Sequence, residues 1–221
     1  MESFFGNDPD ERKRKLCALA GKVYRDTLLL SDLEPSDRII ESLDDLQIAV
    51  EFFRIFGAKI VLTMGTFDLI HVGHARYIRK ACGAGSLLVV GVDDDVKAKG
   101  RKGENRPAVP YTERSEMLTY LRYADIVVKK AHDQPKWEMI KTVRPNVLIA
   151  VVGTYSPEEL VALKEFCGEV VVLDRQAQTS TSHQIRKMIL EGADDFGRRI
   201  HQAITEKLPA IVTEVYEGMK K

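Results

Sequence analysis

The chain has 221 residues, and Lys+Arg and Asp+Glu both number 33, so the formal net charge is zero and no global field draws it to nucleic acid or an anionic membrane. That length buries a sizeable core in one domain with room for an extension at either end, and leaves little for a second. Cys17, Cys82 and Cys167 are odd in number and far apart, against a disulfide framework; the N-terminus is acidic, and no window reaches the roughly 18 apolar residues of a membrane helix, so a cytoplasmic protein is expected.

Residues 1–57 read as a helical N-terminal extension without strand alternation. The basic run at 12–15 is a solvated helix face in this reading. A second helix is expected after Pro35, capped by Ser36 or Asp37, carrying Ile39, Ile40, Leu43, Leu46, Ile48, Val50, Phe52 and Phe53 on its apolar side and stopped by Gly57. From Lys59 strand and helix alternate. The apolar runs predict strands over 60–64, 87–92, 126–128, 147–152 and 170–173, with helices over 74–83, 111–122, 135–143 and 157–167. Continuous Val/Ile/Leu strands separated by helices imply a doubly wound α/β fold whose five-stranded parallel sheet is covered on both faces. This domain is expected over 58–190. Segments 183–191 and 194–218 read as helices, and residues 191–221 form a C-terminal helical extension whose apolar side, with that of the N-terminal one, predicts a homodimer.

Three clusters lie where a ligand belongs in such a sheet, at the carboxyl ends of the strands. In the first, Gly65-Thr66-Phe67-Asp68-Leu69-Ile70-His71-Val72-Gly73-His74 joins the first predicted strand to a helix, and a helix N-terminus reached through a glycine turn is an anion site. His71 and His74 are three apart and share a face of the first turn if the helix begins near His71. They are donors to phosphate oxygens, buried structural histidines or metal ligands; the metal reading lacks the four-residue spacing and the adjacent Glu of the metalloprotease helix. Gly73 lets a ligand approach the backbone. The second cluster, Lys97 to Pro107, is a loop of cations and glycines suited to closing over a polyphosphate, or else a solvated surface loop. The third, Thr179 to Arg186, places hydroxyls at another helix start with Arg186 one turn in from Ser182.

Together the stretch 65–74, with its His-x-Gly-His, the run from Lys99 to Pro107, Tyr111-Thr112-Glu113-Arg114 and Thr181-Ser182-His183-Gln184-Ile185-Arg186 resemble the cytidylyltransferase-like branch of the nucleotidyltransferase superfamily. Within that branch the chain looks most like heptose-phosphate adenylyltransferase domains and glycerol-3-phosphate cytidylyltransferase, then archaeal FAD synthetase. The resemblance implies a Rossmann-like nucleotidyltransferase fold. It also implies transfer of a nucleoside monophosphate from ATP or CTP to a small phosphorylated acceptor, a sugar or polyol phosphate, with Mg2+ required and pyrophosphate released. On that pattern His71 and His74 stabilise the α-phosphate, Lys99 and Lys102 hold phosphates of donor or acceptor, and Thr181, Ser182 and Arg186 hold the β- and γ-phosphates. Gly65, Thr66, Phe67, Asp68 and Gly73 form the nucleotide loop; Asp68 orients that loop or the metal-bound triphosphate, and Arg114 braces it. Gly153 and Thr154 meet base and ribose, although Thr154 stands where the family usually has Asp, and His183 where a hydroxyl is usual. The alternatives are an FMN adenylyltransferase and a non-catalytic nucleotide-binding regulatory protein.

Overall fold

A computed structural model of the chain describes residues 34–177 and 181–218. It divides into a unit reaching to Gln178 and a second unit from Thr179 onward. Among the described residues no helix is long and apolar enough to cross a membrane.

The first unit is an all-parallel sheet with helices on both faces. Its strands are β1 (Ile39–Ile40), β2 (Ile60–Gly65), β3 (Leu87–Asp93), β4 (Ile126–Lys130), β5 (Val147–Val151) and β6 (Glu169–Leu173), ordered β1-β4-β3-β2-β5-β6. The helices are α1 (Leu43–Ile55), α2 (Val72–Cys82), α3 (Asp95–Lys102), α4 (Tyr111–Thr119), α5 (Glu138–Val143) and α6 (Pro157–Leu163). Alternate residues of each central strand feed opposite cores. Ile60, Leu62, Leu87, Val89 and Leu148 pack with Leu46, Val50 and Phe53 of α1 and Met139, Ile140 and Val143 of α5. Val61, Leu88, Val90 and Val147 pack on the other face with Tyr77 and Ile78 of α2 and Leu118 of α4. Truncation of Val89, fully buried in β3, is expected to cost about 1–4 kcal/mol. A shift of the urea midpoint of Val89→Ala checks it.

Two expectations for the N-terminal part need correction. Residues 39–40, read as part of a helix, form a short sixth strand pairing Ile39 with Val127 and Ile40 with Val128. The helix after Pro35 is only a 3-10 turn, Pro35–Arg38, and neither Ser36 nor Asp37 caps a long helix; Ser42 does, accepting the Asp45 N–H at 3.1 Å at the start of α1. The β-branched pair Ile39-Ile40 favours an extended chain where an open sheet edge is offered. Arg38 ties this turn to the end of α4, donating to the Thr119 carbonyl at 2.7 Å and to that of Ala124. In the second unit α7 runs unbroken over Thr181–Gly218, so the two predicted C-terminal helices are one. Gly192 costs about 1 kcal/mol inside a helix but does not stop it.

From β4 the chain crosses back past β3 and β2 to form β5, so the sheet's topological switch point lies between β2 and β5. The N-terminal edge below is closed by polar caps: Asn146 Oδ1 accepts the Ile60 N–H and Asp125 Oδ2 the Leu88 N–H, both at 2.7 Å. The carboxyl edge above is left to loops.

Candidate active site

The loop after β2 carries the histidines to the switch point. Its backbone turns through the left-handed region twice without glycine, at Phe67 (φ 51°) and Leu69 (φ 45°). Such strain persists only where surroundings impose it. Phe67 is buried; its ring lies so close to Gly65 that a Cβ there would meet it at 3.1 Å, and it meets the His74 ring edge-on.

His71 and His74 form a reciprocal cap on α2. The Gly73 N–H donates to His71 Nδ1 at 3.0 Å and the His71 N–H points to His74 Nδ1 at 3.4 Å, an arrangement that Ser and Glu make in the usual capping box. Since each Nδ1 accepts, each ring carries its proton on Nε2 and keeps that N–H for a ligand. The rings lie 4.2 Å apart at the positive end of the helix. Gly73 serves this geometry directly: a Cβ would stand 2.7 Å from the His71 ring and 2.9 Å from Ala177 Cβ. Burial, and then the neighbouring His71, lower the His74 pKa to about 4. His74 is therefore a neutral donor, not a cation. Because the folded chain holds this proton less tightly than the unfolded one, stability is undiminished above about pH 6.5 and falls towards pH 4, by about 3 kcal/mol in all. A proton NMR titration should find one imidazole unchanged from pH 8 down to about 5.5.

The second cluster is half helix. Residues 97–102, expected as loop, belong to α3 because Asp94 caps it, accepting the Lys97 N–H at 2.7 Å, and Gly100 sits inside the helix with open space around it. The remainder is anchored by Asp68, whose carboxylate accepts the Ala108 and Val109 N–H groups at 3.0–3.1 Å and pairs with Arg106 at 2.7 Å. Asp68 thus steadies the loop at 106–109, not the one in which it stands. Arg114 reaches three segments from α4: it donates to the carbonyls of Val109 (2.8 Å), Thr66 and Asp93 (2.9 Å), and to Asp95 Oδ1 at 2.7 Å. Gly153 (φ 82°) and Thr154 form the turn after β5, across the switch point from β2.

A family model described as cytidylyltransferase-like matches residues 62–191, from β2 into α7. The chain belongs to the cytidylyltransferase-like family. Membership places it among nucleotidyltransferases. It is 32% identical over 179 residues to the bifunctional protein HldE of Nitratiruptor sp., covering 77% of this chain and 38% of that protein. To HldE of Pseudomonas paraeruginosa it is 37% identical over 160 residues, 71% of this chain and 33% of that one. The chain thus spans about a third of the length of the curated relatives it matches. Among solved structures, the lipopolysaccharide core biosynthesis protein of Thermoplasma volcanium overlays 54% of this chain and 98% of its own, at 21% identity and a TM-score of 0.49.

The cytidylyltransferase-like frame separates the expected cations. Lys99 turns to Glu104, 2.6 Å away, and is half exposed. Lys102 lies among cations: its pKa is lowered by burial and then by Arg101 and Arg106, with Asp93 opposing and Arg175 adding to the effect. A crowd of that sign asks for an anion. Arg101 and Arg106 stood in the basic run without being singled out, and Arg175, just past β6, carried no local signal. The buried carboxylate of Asp93 was also missed; it accepts Thr66 Oγ1–H at 3.0 Å, pairs with Arg101 at 2.6 Å and has Lys130 at 3.6 Å. Thr181, Ser182 and Arg186 lie in the first described turns of α7; their side chains lie outside the described residues.

Proposed function

We propose that the protein transfers a nucleoside monophosphate from ATP or CTP to a small phosphorylated acceptor, a sugar or polyol phosphate such as heptose 1-phosphate or glycerol 3-phosphate, and releases pyrophosphate. One observation carries this reading: two imidazoles at the switch point are both locked with Nε2–H outward on a helix N-terminus, beside the cation crowd around Lys102. The acceptor phosphate is already ionised, so no side chain has to activate it. It attacks the α-phosphorus in line, the new P–O bond forms as the bond to the β-phosphate bridging oxygen breaks, and the electron pair leaves with pyrophosphate. His71 and His74 donate to the α-phosphate oxygens and so act as preorganised donors to the charge that the equatorial oxygens carry in the transition state. Lys102 and its arginines take the charge of the leaving group; for Thr181, Ser182 and Arg186 only the family resemblance supports a role at the β- and γ-phosphates. Gly153 and Thr154 are assigned to base and ribose.

Mg2+ belongs to this proposal as a partner of the triphosphate. Among the described residues no group of three His, Cys, Asp or Glu side chains is placed to hold a metal, and Asp68 is taken up by two amides and Arg106. The ion would be held mainly by water and phosphate oxygens, and would contribute by neutralising the triphosphate. A homodimer is also part of the proposal; exposed apolar side chains on α7, among them Phe196, Ile200 and Ile204, support it. Pyrophosphate release is the decisive measurement, with ATP, CTP and GTP each offered together with heptose 1-phosphate, glycerol 3-phosphate or FMN. Release with a sugar or polyol phosphate is expected. Release with FMN alone would make the protein an FMN adenylyltransferase, and none with any pair would leave a nucleotide-binding regulator.

A further inference from the structure

The face of α2 that carries His71 and His74 continues one turn on to Tyr77, since residues 71, 74 and 77 recur at intervals of three. Tyr77 reaches the place where the sheet opens. β2 and β5 pair over Val61 with Val147, Leu62 with Leu148 and Thr63 with Ile149, and the ladder between them stops there. Beyond it β2 stays with β3 as far as Gly65 opposite Val92, and β5 stays with β6 as far as Val151 opposite Leu173. The two central strands therefore part just beneath the histidine loop.

At that parting the Ile149 carbonyl is met by side chains. Thr63 Oγ1 and Tyr77 Oη each lie 3.2 Å from it and 2.5 Å from one another. Two hydroxyl protons serve three close oxygens, so one hydroxyl donates to the carbonyl and the other to its neighbour's oxygen. All three residues are buried. Burial pushes the Tyr77 hydroxyl up to about 12, which keeps its proton in place. Phe and Val would fill much the same volume without any demand on geometry. A buried polar network instead rewards one arrangement and penalises its neighbours.

We propose that the Thr63–Tyr77 hydroxyl pair is a positioning device: it holds the parting of β2 from β5 and so sets the seat of α2, from which His71 and His74 reach the α-phosphate. The proposal rests on the phosphate-contact reading of the two histidines. Tyr77 touches no substrate in it and acts through His74.

The test uses the full chain with Tyr77→Phe, Thr63→Val, the double variant and Thr63→Ser, assayed with whichever nucleotide and acceptor release pyrophosphate in the wild type. Tyr77→Phe and Thr63→Val are each expected to lower kcat about tenfold while KM stays within about twofold, because small misplacements of a catalytic group act on the chemical step. The double variant should lose no more than the worse single one, since the two hydroxyls act as a unit. Thr63→Ser keeps the hydroxyl and should keep kcat. A lowered Tm with unchanged kcat, additive losses, or Thr63→Ser as damaging as Thr63→Val would overturn the proposal. Nitrogen NMR of the imidazoles supplies a readout free of turnover: the single Nε2–H form of His74 should blur towards a mixture of tautomers in Tyr77→Phe. If the wild type releases no pyrophosphate with any pair, the functional reading fails, and an unchanged His74 spectrum in Tyr77→Phe would separately overturn the positioning proposal.

Discussion

His74→Ala is expected to lower kcat by about 10²–10³-fold while nucleotide still binds, because it removes one preorganised donor from a charged transition state. Equilibrium binding of the nucleotide beside steady-state pyrophosphate release would check it, and wild-type turnover would take His74 out of the mechanism. The cap geometry allows a sharper version. The double change His71→Ser with His74→Glu rebuilds the usual Ser-x-x-Glu capping box, so α2 should keep its N-terminus and the protein its urea midpoint. Activity should still be lost, because neither new side chain presents an N–H to phosphate. Loss of folding in that variant would mean that the imidazoles pack against Phe67 and one another in a way the cap alone does not replace.

Arg114→Ala carries the largest expected cost in stability, about 3–5 kcal/mol, summed over buried carbonyls that each lose a donor at about 1–3 kcal/mol, since Asp95 itself is half exposed. The guanidinium is 1% exposed and serves the Thr66, Asp93 and Val109 carbonyls as well as Asp95, so its loss leaves several buried acceptors unpaired at once. Arg114→Lys should not rescue it, since a point-like ammonium cannot span the three segments. Urea unfolding followed by circular dichroism measures the loss. A shift below about 1 kcal/mol would show that the loops hold themselves without the bridge.

Much of the sheet was legible before any coordinates. Ile60–Met64, Leu87–Val92 and Val147–Val151 are apolar except for Thr63 and Gly91, and a strand buried on both faces needs that composition. The switch-point loop was legible as well, because glycine, histidine and a following amphipathic run mark a strand, a turn and a helix start within a few residues. Harder to read were elements whose conformation depends on distant partners. Ile39-Ile40 is extended because β4 offers it an edge, although its neighbours in sequence favour a helix. The stretch 97–102 is helical because Asp94 caps it, while its cations and Gly100 suggested a loop.

The candidate site divides along the same line. The sequence by itself determined the parallel α/β class, the place of the histidine loop after β2, and the pairing of His71 with His74, because these follow from local periodicity and spacing. Only the tertiary structure decided which protons those histidines carry, that Asp68 steadies a loop forty residues away, that Lys99 faces Glu104 while Lys102 sits among Arg101, Arg106 and Arg175, and that Tyr77 reaches the carbonyl where β2 and β5 part. Tautomer, charge environment and strand splay are set by groups far apart in the chain, and they acquire values only once the fold has brought those groups within a few ångströms.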